Sequence, residues 1–503
     1  MLVEIFCVLL GIFAVYLFFA KCRQNATTID GPTGLPLIGC VLEFGHENMH
    51  SKFLNYAEKF GEIFLVKMLW ENVVVLNSQQ LIKEAFSDDK YKQQFNDRPE
   101  AFYGEHFLVS SQTVGSTPYG SAIFHRNARK QFVQSLHAYG TGVREFEEQF
   151  MTEIESFVTE MARKDGKVFD IQEDIKHTLS NTVSILLRGE PLQDSDLDMF
   201  WEHAEGADFF LNANVNVVMV ALPVLRFLPG KYGQQYRRAR KAFGKLVEYF
   251  EDIKSSFQPG KTRGLIQCYL EKRRQESMSG QTISFTDDKI VAQLSEVVVG
   301  GILTIRSMLT DSLLVLLNHP DVQTRIQKEL DVHIGRDRLP ALSDLENCPF
   351  LQAFEIEMER YLNAVPLLLP HLCREHVKLR NYDISANTTI IANVWYVHHD
   401  PTVWGDPWNF RPKRFLDESG RLLPGDHILR KSVLTFGYGR RSCPGELLGR
   451  TRNMLYIAAI LQRFTLEFPQ GYNVTCDPRL QEVYEMKFTI RAKQFLCCAK
   501  ERR

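Results

Sequence analysis

The chain has 503 residues, longer than most single domains, and its 59 Lys plus Arg nearly balance 61 Asp plus Glu, for a formal net charge of −2. That balance excludes the basic excess of a dedicated nucleic-acid binder, and 45% hydrophobic with 24% charged residues excludes wholesale disorder. Its 10 cysteines form no CxxC, CxxCH or Cys/His finger spacing, which argues against a zinc site and a covalently attached haem, and the cysteine-free stretch from Cys40 to Cys268 makes a poor disulfide framework.

From Ile5 to Ala20 no residue carries a charge. About 20 helical residues cross a hydrocarbon core of about 30 Å, so this run is slightly short, with Tyr16, Lys21 and Arg23 placed to reach the interface. A cleaved signal would have a basic leader, whereas Glu4 precedes the run and the positive charge follows it. The expectation is an uncleaved transmembrane anchor over residues 1–21 with the remainder cytosolic. Residues 22–40 follow as a hinge, because the prolines and glycines of Asp30-Gly-Pro-Thr-Gly-Leu-Pro-Leu-Ile-Gly39 stop helix continuation.

Beyond Val41 no linker or repeat divides the chain, so residues 41–503 read as one large domain, mainly α with small β-sheets. Helical patterns run from about Val143 to Arg163 and from about Gly233 to Phe257. The longest starts at Thr286, an N-cap followed by two aspartates, and stops at Pro320. Strand-like pieces fall at Ile63–Val66, Val73–Leu76, Thr388–Ala392 and Lys487–Arg491. Residues 214–230 are strongly apolar and read equally as a core helix ending in a loop or as a second membrane-dipping element.

No GxGxxG, HExxH or GxSxG pattern is present, which leaves nucleotide-binding, zinc-protease and serine-hydrolase readings without support. The chemistry-bearing stretch is Phe436-Gly-Tyr-Gly-Arg-Arg-Ser-Cys-Pro-Gly445. Gly437 and Gly439 allow a tight turn close to a flat ligand. A helix N-terminus after Cys443 would favour its thiolate, a soft iron ligand, and Arg441 offers positive charge to an anionic substituent.

This stretch resembles the haem-binding loop FxxGxRxCxG of cytochromes P450, with Phe436, Gly439, Arg441, Cys443 and Gly445 at its fixed positions. Glu357-Met-Glu-Arg360 resembles the family's ExxR motif, and Arg414 the later arginine that it pairs with. His319-Pro-Asp-Val-Gln323 and Pro223 to Pro229 resemble the microsomal branch that holds drug-metabolising and steroid-hydroxylating members. The resemblance spans nearly the whole chain. It implies the P450 fold and haem b, with Cys443 as iron ligand and Phe436, Gly437 and Gly445 shaping its loop. It also implies Arg98, His371 and Arg441 at the haem propionates, with Arg129 nearby, and Thr304 with Gly301 at the oxygen site.

The implied activity is insertion of one atom of O2 into a steroid, fatty acid or xenobiotic. The implied partners are an NADPH-cytochrome P450 reductase, with cytochrome b5 as a further donor, and the implied location is the endoplasmic reticulum membrane. A basic docking face would draw on Arg126, Arg129, Lys130, Lys431, Arg440 and Arg450. Three positions depart from the pattern: Leu303 replaces the acid before Thr304, Phe124 and Ala128 replace a Trp and an Arg, and Lys413 replaces an acid. Leu303 keeps open a haem-thiolate isomerase or dehydratase of lipid hydroperoxides. Leu303 and Ala128 together keep open a haem-binding protein with little turnover.

Overall fold

The computed structural model describes residues 11, 29–36, 38–44, 49–108, 129–130, 132–134, 144–193, 196–261 and 263–502. Apart from residue 11, the expected anchor lies outside these residues, as do the departures at Phe124 and Ala128. In chain order the helices begin with α1 (Met49–Phe60), α2 (Gln79–Ser87), α3 (Phe102–Phe107), α4 (Arg144–Arg163), α5 (Ile171–Arg188) and α6 (Leu197–Phe210). They continue with α7 (Ala213–Ala221), α8 (Lys231–Ser255), α9 (Leu265–Met278), α10 (Asp287–Asn318) and α11 (Pro320–His333). The last are α12 (Pro349–Tyr361), α13 (Val394–His399), α14 (Pro401–Trp404), α15 (Ile428–Ser432) and α16 (Glu446–Arg463). The strands are β1 (Ile63–Met68), β2 (Glu71–Leu76), β3 (Phe169–Asp170), β4 (His371–Cys373), β5 (Val377–Leu379) and β6 (Tyr382–Ile384). After them come β7 (Thr388–Ala392), β8 (Phe464–Glu467), β9 (Tyr484–Met486), β10 (Ile490–Ala492) and β11 (Leu496–Glu501).

The described chain forms two compact units, and neither is continuous in sequence. The first gathers residues up to Pro99 with Leu367–Tyr396 and Tyr438–Arg441; the second gathers Glu100–Pro366, Val397–Gly437 and Ser442 onward. No linker marks this division because each boundary falls inside a loop or helix.

In the first unit, four strands pair in the order β1-β2-β7-β4. β1 and β2 form an antiparallel hairpin with Ile63 opposite Leu76. β2 then takes β7 as a parallel neighbour, with Val73 opposite Thr389, and β4 pairs antiparallel with β7. Val73, Val74, Val75 and Leu76 are all buried, and so is every residue of β7. An unbroken apolar run of this kind is what a strand covered on both faces requires.

The second unit is built around α10, which packs against α5, α6 and α16. Thr286 caps it as expected, its hydroxyl accepting from the Lys289 amide. This helix is long and apolar enough to cross a membrane, yet most of it is buried within its unit, which identifies it as a core helix. From Ile290 to Leu317 every residue is buried except Glu296, Gly300, Gly301, Thr304 and Arg306. Glu296, Gly300 and Thr304 recur every four residues, so one accessible stripe runs along an otherwise enclosed helix.

Two expectations change. The strand expected at Lys487–Arg491 is instead a hairpin, in which β9 and β10 flank a turn closed by Lys487 N–H donating to the Thr489 carbonyl. The segment 214–230 is a helix packed into its unit and ending in a loop. α7 buries Asn214, Val215, Val217 and Met219, and the turn beyond it leaves Leu222, Val224, Phe227 and Leu228 exposed.

Candidate functional site

Within the second unit, Cys443 sits where the loop turns into α16. Its amide donates to the Phe436 carbonyl at 2.7 Å, which closes the loop on itself. In the segment leading into this loop, the Leu434 amide donates to His398 Nε2 at 2.8 Å, and Thr435 Oγ1 donates to the Glu359 carbonyl at 2.9 Å. Gly437, with φ +74, donates to the Leu434 carbonyl and takes a backbone conformation that favours glycine.

The Cys443 thiol is exposed even though protein crowds it on every wider scale. Burial pushes the thiol upward and Glu446 adds to this, while the Gly445 amide and Arg129 pull it back. A Cβ at Gly445 would lie 3.9 Å from Cys443 Sγ, so the missing side chain keeps the sulfur's surroundings open. Arg129 donates to the Ser442 carbonyl at 2.6 Å and to Ser442 Oγ at 3.2 Å, which brings its positive charge to the cysteine's immediate neighbour.

The ExxR residues meet the later arginine in the interior. Arg360 donates to both carboxylate oxygens of Glu357, at 2.7 and 2.8 Å, and both side chains are 0% exposed. Arg414 Nε donates to Glu357 Oε1 at 3.3 Å. The remaining donors are also used: Arg360 Nη1 reaches the carbonyls of His398 and Pro407, and Arg414 reaches those of Trp404, Asp406 and Asn409. A buried charge cluster is tolerated only when saturated in this way.

On the stripe of α10, Thr304 Oγ1 donates to the Gly300 carbonyl at 2.6 Å. The two glycines differ. A Cβ on Gly300 would meet nothing, whereas one on Gly301 would lie 2.9 Å from Val183 Cγ2 of α5. Gly301 therefore serves close helix packing, and the open space belongs to Gly300. Leu303 is 1% exposed and turned into the core, away from the stripe.

Within the first unit, Arg98, His371 and Arg441 come together. Arg98 Nη1 donates to the carbonyls of Leu369 and Pro370, both at 2.8 Å, and Arg441 Nε donates to the Asn96 carbonyl at 2.8 Å. His371 Nδ1 hydrogen-bonds the Phe95 carbonyl at 2.6 Å, and its ring stacks on Phe86 at 3.9 Å. Burial and the charge of Arg98 hold this imidazole well below its ordinary range, so it is neutral. Gly439, φ +75, brings its backbone against Phe86, where a Cβ would fall 2.2 Å from the carbonyl oxygen. Two guanidiniums beside an imidazole form a receptor suited to paired carboxylates. A thiol supported by an amide and an arginine suits a soft iron ligand, so the residues of each unit fit the haem that the sequence implies.

Sequence reasoning missed the bracing of the cysteine loop by His398, Glu359 and Arg450. Arg450 was expected on an open docking face, but its guanidinium lies between Glu359 and Glu446. Of the other docking cations, Lys130 and Lys431 are exposed, Arg440 is half-buried, and Arg126 lies outside the described residues. His398 had a local sign, a histidine next to a second one ahead of Asp400-Pro401. Glu359 had none, since its partner lies 91 positions away.

Comparison with known proteins adds an independent finding. The family model described as cytochrome P450 matches residues 29–495. The chain is 30% identical to cytochrome P450 2D14 of Bos taurus over 93% of its own length and 92% of the relative. It is 29% identical to a vitamin D(3) 25-hydroxylase of Sus scrofa, over 88% and 87%, and 27% identical to cytochrome P450 1A1 of Rattus norvegicus, over 95% and 91%.

Proposed function

The chain belongs to the cytochrome P450 family, and on that premise we propose that Cys443 ligates the haem iron of a monooxygenase acting on a steroid or another lipophilic molecule. Enzymes of this family are monooxygenases whose haem iron is bound by a cysteine thiolate. When bound, haem supplies oxygen activation: one atom of O2 enters a C–H bond and the other leaves as water, with two electrons and two protons drawn from outside.

The protein's own residues divide the remaining work. The Gly445 amide and Arg129 stabilise negative charge on the Cys443 sulfur. Arg98, His371 and Arg441 receive the propionates. With Nδ1 committed to the Phe95 carbonyl, His371 can donate from Nε2 only as an imidazolium, which two anionic groups beside it would favour. Thr304 holds a proton in its bond to the Gly300 carbonyl and can present it to the stripe by rotating about χ1. Gly301 lets α10 approach α5 closely and so fixes where the stripe lies.

A vitamin D(3) 25-hydroxylase among the relatives supports a steroid-like substrate. Residues 41–503 make up the catalytic domain, tethered to the endoplasmic reticulum membrane by the anchor and cytosolic. The exposed lip from Leu222 to Leu228 meets the same membrane. Electrons come from an NADPH-cytochrome P450 reductase, with cytochrome b5 as a second donor.

The observation that carries the reading is the Cys443 sulfur itself, exposed, flanked by the Gly445 amide and Arg129, and left space by a glycine. The reduced protein should show the carbon-monoxide absorption band of a thiolate-ligated haem, and Cys443→Ala should abolish it. A band that survives the substitution overturns the assignment. Substrate oxidation that requires both reductase and NADPH is expected. Rearrangement of a fatty-acid hydroperoxide without reductase would make the enzyme an isomerase instead.

A further inference from the structure

We propose that Glu359 and Arg450 form a buried charge pair that positions the cysteine loop and sets how readily the iron held by Cys443 is reduced. The inference rests on the assignment of Cys443 as the iron ligand and adds to it the means by which this chain tunes that ligand.

The pair touches the loop at two points. Arg450 stands on α16, seven residues beyond Cys443. Its Nε and Nη2 donate to the two carboxylate oxygens of Glu359, at 2.5 and 2.7 Å, and its Nη1 donates to Glu446 at 2.7 Å. The guanidinium carbon lies 4.8 Å above the centre of the Phe436 ring, within the range of a cation–π contact. Phe436 in turn accepts the amide hydrogen of Cys443, so the arginine bears on the residue that closes the cysteine turn. Glu359 grips the same turn from α12, its carbonyl accepting from Thr435 Oγ1 at 2.9 Å. Gly449, on the adjoining turn of α16, would carry a Cβ 3.8 Å from the Phe436 ring, an ordinary contact that shows this helix lying alongside the ring.

The charges are arranged to matter. Glu359 is 0% exposed, and Arg450 is mostly covered. One turn before Glu359, the buried carboxyl of Glu355 accepts from Asn453 Nδ2 at 2.6 Å, and burial pushes it up to about 8. Arg430 also faces the group. Arg450 is the cation that offsets Glu359, and the charge balance beside the loop depends on both being present. In a medium with an effective dielectric constant near 20, an unbalanced unit charge about 10 Å from a redox centre changes its reduction equilibrium by about tenfold. Positive charge favours the reduced state and negative charge the oxidised one.

The test is the haem reduction potential, measured with dye mediators so that docking of a protein donor plays no part. Glu359→Gln removes the buried carboxylate of Arg450 and leaves it only the exposed Glu446, so it should shift the potential positive, by about tenfold in the equilibrium. Adding Arg450→Met to it removes a pair without net charge and should return the potential close to wild type. Arg450→Lys, which keeps the charge, should stay near wild type throughout. If the pair only held the loop in shape, the double variant would depart further than the single one, and that result overturns the proposal, as does an unmoved potential in Glu359→Gln. Should Glu359→Gln fail to hold haem, Glu446→Gln removes the exposed partner of Arg450. It should shift the potential in the same direction by less, and no shift overturns the proposal. The carbon-monoxide band of the wild-type protein keeps the two readings apart: its absence would defeat the iron-ligand assignment, whereas its presence with unmoved potentials defeats only this one.

Discussion

Thr304 is the side chain at which the proposed chemistry separates most cleanly from the fold. Its hydroxyl bonds back to the Gly300 carbonyl, a contact worth little to the fold, and it lies on the accessible stripe of α10. Thr304→Ala should therefore leave thermal stability nearly unchanged while lowering product formed per NADPH consumed by at least about tenfold, because a positioned proton donor is lost. Thr304→Ser should restore most of the yield. Equal yields in all three proteins would remove Thr304 from the reaction. Leu303 at the neighbouring position is packed into the core, so an acid introduced there would be buried rather than delivered to the stripe. Glu296 is the carboxylate on that stripe, two turns from Thr304.

At the scale of elements, the strongest constraint is the meeting of α12 with the segment from Asp406 to Phe415. Glu357→Gln would strand Arg360 and Arg414 as buried cations with one partner fewer. Removing one member of a buried pair costs about 3–5 kcal/mol, and urea unfolding should show a loss of that order. A loss below about 1 kcal/mol would mean that the carbonyls around the two arginines suffice without the carboxylate. Glu357, Arg360 and the cysteine loop were legible in the sequence because each motif is short and fixed in spacing. The long helix was legible from its cap and its apolar run. What lay hidden depends on distant partners: His398 meets Leu434 across 36 positions, and Glu359 meets Arg450 across 91. The strand expected at Lys487–Arg491 misled for a local reason. Lys487 and Thr489 close a turn over its first three residues, and the strand begins only at Ile490.

For the whole molecule, buried histidines set the acid limit. Burial lowers His50 and His398 to about 3 and His203 to about 4, from an ordinary 6.5. Each stays neutral when folded and takes up a proton on unfolding between its folded value and 6.5, so stability is present above that window and lost as pH falls through it. Together the three should give a slope of about 4 kcal/mol per pH unit near pH 5. Unfolding free energies measured from pH 4.5 to 6.5 would show this, and a flat profile would refute it. The parallel pairing of β2 with β7 has a different consequence, in the timing of synthesis. Val73 waits for Thr389, roughly 300 residues later, and a ribosome adding about 5–20 residues per second takes ~15–60 s to supply it. Through that interval the apolar edge of the β1–β2 hairpin has no native neighbour, so the nascent chain must be shielded by a chaperone or a membrane surface until β7 emerges.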